Sequence, residues 1–196
     1  MNTIRRRISQ ISTACCLLGV LTATSVAEEP TWFGEKASGD WFVGLRAGSV
    51  QSGETGFGDA TNAGVLFGYQ FDRPVGLDGT ASVEFEFTTT TSDGNVQGTS
   101  AQFGRQGKWD VDTLAVYFAY RTPGTVYFKG KAGLLQSDIS VSIPGSPFSN
   151  DDTSVAFGAG LGVRLMENKA NIEFEYTGST GDNDIGMVTL GGNLLF

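Results

Sequence analysis

The sequence predicts an all-β chain: an eight-stranded antiparallel up-and-down transmembrane β-barrel. Three observations carry that prediction. Eight runs alternate apolar and polar residues with a period of two. The connections between those runs alternate between short and long. No window after residue 27 reads as a spanning helix, and a chain that crosses a membrane without helices must satisfy its backbone hydrogen bonds in a closed barrel.

The amino terminus is read separately. Arg5, Arg6 and Arg7 precede an apolar stretch around Ala14 to Leu21 and the small-residue run Ser25-Val26-Ala27, the layout of a secretory signal peptide. Its apolar core is about half the roughly 20 residues that a spanning helix needs, so cleavage after Ala27 is expected. Residues 1–27 are therefore assigned to the signal peptide, 28–39 to a short lead-in containing Trp32 and Phe33, and 40–196 to the barrel. Cys15 and Cys16 fall in the segment expected to be lost, with most of its apolar core following them, which argues against a lipid-modified cysteine. The mature chain then has no thiol for a disulfide, a nucleophile or a metal ligand. Removing the three arginines from thirteen basic residues leaves ten against twenty-one acidic, a net charge near −11. Such a chain is a poor nucleic-acid partner, because phosphates demand a basic surface. Histidine is absent, and with it the commonest general base and metal ligand.

The strand runs are expected at 40–50, 63–71, 80–91, 109–121, 125–135, 154–165, 170–178 and 185–196. In each, one parity is apolar. Val43, Leu45 and Ala47 set the pattern in the first run, Val65, Phe67, Tyr69 and Phe71 in the second, and Val83, Phe85 and Phe87 in the third. Leu114, Val116, Phe118 and Tyr120 continue it, followed by Val126, Phe128 and Ala132, and by Phe157, Leu161 and Val163. Ile172, Phe174 and Tyr176, then Val188, Leu190, Leu194 and Phe196, complete it. The connections 72–79, 122–124 and 166–169 are short, whereas 51–62, 92–108 and 136–153 are long and polar, the asymmetry of a membrane barrel with both termini at its short-turn end. A soluble barrel would alternate as well. The membrane arrangement is favoured by Trp41, Tyr69, Phe71, Tyr120, Tyr127 and Tyr176 near the expected strand ends, where an interfacial girdle sits, and by glycine on the polar parity of the even strands, where a narrow lumen needs it.

The last residues, T-L-G-G-N-L-L-F, place polar Thr189, small Gly191, apolar Leu194 and terminal Phe196. They resemble the carboxyl-terminal signal by which the barrel-assembly machinery engages the last strand of bacterial outer-membrane proteins. Together with the opening strand D-W-F-V-G-L-R-A-G, residues 40–196 resemble the small eight-stranded outer-membrane barrels of the OmpA and OmpX type. The resemblance implies a cell outer-membrane location, with the lead-in and short turns in the periplasm. It implies contact with outer-membrane lipid and lipopolysaccharide, and assembly as a monomer. The enzymes of this barrel class rely on a histidine, so no enzymatic activity and no cofactor or metal are expected here.

On the non-apolar parity the odd runs carry charge: Arg46 on the first, Glu84 and Glu86 on the third, Lys129 and Lys131 on the fifth, Glu173 and Glu175 on the seventh. Residues i and i+2 share a face of a strand, so each pair points one way, and lipid forces that way to be inward. The expected result is a luminal belt alternating in sign, with Arg121 and Arg164 nearer the periplasmic mouth and able to pair with the carboxylates above. Gly64, Gly68, Gly158, Gly160, Gly162 and Gly191 leave room for the long side chains. An eight-stranded barrel is only wide enough for its own side chains, which makes the belt a plug. Acid/base catalysis by the glutamate pairs is disfavoured, because basic partners are at hand and no cleft is expected.

Function is then expected in the loops 51–62, 92–108 and 136–153, as a structural or surface-interaction protein. The alternative is a narrow pore or a small-ligand carrier. Glu54, Asp59, Asp93, Asp151, Asp152, Asp182 and Asp184 make the outward connections acidic. The D-N-D run at 182–184 resembles part of a calcium loop but lacks the remaining spaced ligands. Residues 138–148 keep strand-like alternation, with Ile139, Val141 and Ile143 on one side. Two readings stay open there: a prolonged wall with an exposed edge or apolar patch, or a surface loop with a few buried anchors.

Overall fold

A computed structural model describes residues 31–32, 35–36, 38–71, 78–97, 106–143, 148–181 and 184–196. The chain divides into two compact units, 1–36 and 37–196. In the first, Thr31–Trp32 pairs antiparallel with Glu35–Lys36. The expected signal peptide, Phe33 and most of the 72–79 turn lie outside the described residues.

The second unit is the barrel. Its strands are β1 (Gly39–Ser52), β2 (Ala60–Phe71), β3 (Thr80–Ser92), β4 (Gln106–Arg121), β5 (Val126–Ser142), β6 (Phe148–Leu165), β7 (Ala170–Thr180) and β8 (Ile185–Leu195). Each pairs antiparallel with its neighbours in sequence, and β8 closes on β1 from Ile185↔Ser52 to Leu195↔Phe42. All eight expected runs are present.

The two faces are inverted relative to a water-soluble barrel. Leu45, Phe85, Phe128 and Leu190 stand exposed on the outer wall, while Arg46, Glu84, Lys129 and Glu173 are buried within. Only a lipid exterior makes that arrangement favourable. Where β1 and β2 meet at the short-turn end, Trp41 stacks on Phe67 (5.0 Å) and meets Tyr69 edge-on (4.9 Å), and Tyr69 in turn meets Phe71 (5.2 Å). Tyr127, expected in this girdle, is instead buried in the lumen. Strand register decides its direction: Val126 and Phe128 face outward, so Tyr127 shares the inner face with Lys129 and Lys131.

The β6–β7 turn holds three successive non-glycine residues in left-handed backbone, Met166 (φ 52°), Glu167 (φ 56°) and Asn168 (φ 72°). Left-handed turns match the right-handed twist of the flanking strands, but each non-glycine residue there costs roughly 1–2 kcal/mol. Glu167 is exposed. Glu167→Gly is therefore expected to stabilise the barrel by about 0.5–1 kcal/mol in urea titrations. A loss of stability would mean the turn is unstrained.

At the opposite end the wall changes character. Backbone pairing of β3 with β4 runs from Thr80↔Arg121 to Thr88↔Thr113 and stops. Above it, side chains hold the seam: Thr89 donates to Asp112 Oδ1 (2.7 Å), while Thr90 Oγ1 donates to the Val111 carbonyl (2.9 Å) and accepts its N–H (2.8 Å). The segment Gly94–Gln97 then rejoins β4 at residues 106–109. On its other side Gly58 N donates to Asn95 O (2.7 Å) and Gln97 N to Gly56 O (2.8 Å). The first and second long connections are thus stitched together over the lumen. Trp109 anchors them, donating Nε1–H to Gly58 O (2.7 Å) beneath the edge of Phe57.

Beneath this lid lies an apolar layer that includes Val50, Trp109, Val111, Leu135, Val141, Ile185 and Met187. Ile139 and Ile143 pack against it. The third connection does prolong the wall, as β5 and β6 pair up to Val141↔Phe148. Of the two open readings the wall is the one seen, with its apolar side turned inward, so Ile139, Val141 and Ile143 form no outward patch. These residues continue the inner parity of β5 from Leu135.

Candidate functional site

Among the described residues, the lumen below the apolar layer contains four buried cations, Arg46, Arg121, Lys129 and Lys131, and four buried anions, Glu84, Glu86, Glu173 and Glu175. Strands β1, β3, β5 and β7 supply all but Arg121, which β4 contributes from its short-turn end. The eight charges cancel.

Lys129 is the centre of the network. Its Nζ lies 2.8 Å from Glu84 Oε2, 3.0 Å from Glu173 Oε2 and 2.8 Å from Glu175 Oε1. Arg121 bridges Glu84 (2.6 Å) and Glu173 (2.7 Å) and also donates to Ser82 Oγ (2.7 Å). Arg46 reaches Glu173 (2.8 Å) and Glu175 (3.4 Å) and donates to Asn193 Oδ1 (3.0 Å). Lys131 lies 2.9 Å from Glu175 and 3.4 Å from Glu86, with its ammonium 4.3 Å from the centre of the Tyr117 ring. The Tyr127 hydroxyl donates to Glu173 Oε1 (2.7 Å). Strands that are not neighbours in the wall are thereby tied together across the lumen.

Small residues make this crowding possible. A Cβ on Gly191 would lie 2.1 Å from Arg46 Nη1, and one on Gly160 would lie 2.8 Å from Glu175 Cγ. Charged side chains stand at Gly158, Gly160 and Gly191, whereas Thr88, Phe42 and Tyr127 stand at Gly64, Gly68 and Gly162. Gly191 therefore answers to the arginine beside it.

One expectation needs correcting. Arg164 does not pair with the carboxylates. It is half-buried, donates to the Thr122 (3.0 Å) and Gly124 carbonyls of the β4–β5 turn, and lies over the Tyr127 ring (4.4 Å). Its place one residue from the end of β6 puts those orphan carbonyls nearer than any glutamate. Arg46 pairs with the β7 glutamates, which stand next to it in the belt because β8 closes on β1. Tyr117, Tyr127, Ser82 and Asn193 were not anticipated. Each sits on the inner parity, which was the available signal.

All four carboxylates have a cation within ion-pair distance and are buried.

The outer membrane protein beta-barrel domain family matches residues 13–193. The chain belongs to that family. Among solved outer-membrane barrels, the attachment invasion locus protein Ail of Yersinia pestis aligns with a TM-score of 0.51 at 18% identity, covering 81% of this chain and 97% of Ail. OprG of Pseudomonas aeruginosa aligns with a TM-score of 0.52 at 15% identity over 82% and 97%. Neisserial surface protein A gives 0.52 at 14% identity over 80% and 97%. No curated protein matches the sequence. At these identities the likeness establishes the fold of an outer-membrane barrel and leaves its task to the chain's own residues.

Proposed function

We propose that this outer-membrane barrel is a non-enzymatic protein with a structural or surface-interaction role, its lumen plugged by its own side chains. The observation that carries this reading is the neutral, buried ion-pair network beneath an apolar layer, which leaves the narrow interior filled. Specificity then resides in the outward connections 51–62, 92–108 and 136–153. Ail was solved in complex with the heparin analogue sucrose octasulfate, a polyanion. Here Glu54, Asp59, Asp93, Asp151 and Asp184 are exposed at the long-connection end, a surface that repels such ligands. Planar-bilayer recording of the pure, folded protein is expected to give no steady single-channel openings. Steady openings would replace this reading with transport through a narrow pore.

The same reading assigns residues 1–27 to export and Thr189, Gly191, Leu194 and Phe196 to recognition by the assembly machinery, with lipid and lipopolysaccharide as surroundings of a monomer. Leu194 and Phe196 are exposed, and Phe196 N donates to Trp41 O (2.9 Å) across the closing seam. Deleting Phe196 is expected to lower the amount of barrel in the outer membrane severalfold while urea stability of the refolded protein changes by less than about 1 kcal/mol. A matching fall in both would make the residue structural.

A further inference from the structure

β6 outruns β7. The last row between them is Val155↔Thr180, whereas β6 stays paired to β5 as far as Phe148. Over residues 148–153, β5 is the one strand beside β6 among the described residues. Arg164 donates its backbone N–H to Thr125 O of the β5 side (2.8 Å), and the register from there to Phe148 is unbroken. Even-numbered β6 residues therefore turn their backbone groups to β5 and odd-numbered ones turn theirs away. Among the described residues, Ser149, Asp151 and Thr153 thus present N–H and C=O groups along an edge that no strand covers, with Gly181 standing beside Asp152 and Ser154 at its base.

Protein edges are commonly blunted by lysine, proline or a bulge. None occurs here. The edge borders an acidic row instead: Asp112, Asp138 and Asp151 stand directly opposite one another on β4, β5 and β6. Like charges so placed repel. Partial burial, and then Asp151, hold the Asp138 carboxyl above the usual aspartate range. Lys108, on the same face of β4, is 4.0 Å from Asp93, on the side away from β6. No described group of three or more acidic side chains is arranged to hold a metal. A second copy added antiparallel about Asp151 would set that carboxylate against its own counterpart, so the edge disfavours itself as partner.

We propose that the 148–153 edge of β6 receives an extended segment of a partner protein whose alternate residues are basic, one of them landing opposite Asp151 on the outer face. Main-chain bonds would supply affinity and the acidic row the choice of strand. The proposal rests on the surface-interaction reading, yet the two fail separately, since conductance is blind to edge occupancy and edge occupancy to conductance.

The probe is a synthetic peptide of alternating threonine and lysine, added to the full barrel in phosphocholine nanodiscs, with residue-resolved amide hydrogen exchange as readout. At saturating peptide, exchange is expected to slow on the order of tenfold at Ser149, Asp151 and Thr153 and to stay unchanged at Asp152, whose amide serves β5. A threonine–glutamate peptide should have no effect. Thr153→Pro removes one open N–H without touching the β5 ladder and should weaken the protection. Asp151→Lys should transfer the preference to the glutamate peptide. Equal protection by both peptides, or undiminished protection in both variants, would overturn the proposal. So would protection that grows with barrel concentration in the absence of peptide, which would make a second copy the occupant.

Discussion

Replacing Glu84 and Glu86 together with glutamine is expected to cost about 3–5 kcal/mol of unfolding free energy, the range for removing one side of a buried ion pair. Glu84 serves both Arg121 and Lys129, and Glu86 serves Lys131, so the double variant leaves a lumen with two uncompensated positive charges. Replacing Lys129 and Lys131 with glutamine should cost a similar amount, because all four carboxylates lose a partner. The quadruple variant is the informative one. It restores neutrality and keeps Arg46 and Arg121 on Glu173, and Arg46 near Glu175, so its loss should be well below the sum of the two doubles. Urea unfolding in lipid vesicles measures all four proteins. Strictly additive losses would show that β3 and β5 share no charge network.

The second large effect lies on the opposite face. Phe85 stands between Glu84 and Glu86 in sequence, points outward, and is flanked by Phe67 and Val116 in the wall. Phe85→Lys places an ammonium in lipid at a cost of about 2–4 kcal/mol at mid-membrane depth, besides the lost apolar contact. Assembly into the heat-modifiable form should fall sharply on gels. Thr153→Lys, also outward but above the level at which β7 ends, should remain within about 1 kcal/mol of wild type. Equal tolerance of the two would mean that the apolar parity does not face lipid.

Much of this was legible in the sequence because side-chain direction in a strand is a parity, fixed by counting. Counting from Val43 or Phe85 gave the lipid face, and counting from Lys129 gave the lumen. Tyr127 shows what happens when residue type overrules the count: its ring and its nearness to a strand end suggested the girdle, while its odd number already placed it beside Lys129. Arg164 was misjudged for a different reason. Parity fixes a direction, but a long side chain near a strand end takes whichever acceptor is closest, and the carbonyls at Thr122 and Gly124 become visible only once the turn is built. The apolar layer was hidden by non-locality. Val111, Ile185 and Met187 occupy the polar parity and look like exceptions until the bridge between Phe57 and Val96 brings two distant connections over them. The seam between β3 and β4 was equally silent, since Thr89 and Thr90 read as ordinary strand residues in a threonine run.

The cancellation of charge inside the barrel reaches beyond stability. An applied potential does work on displaced net charge, about 2.3 kcal/mol per elementary charge per 100 mV, and that work is what makes a gate voltage-sensitive. Four cations and four anions moving together carry no net charge across the field. To first order voltage therefore has no handle on the plug, and neither polarity of an applied field should loosen it.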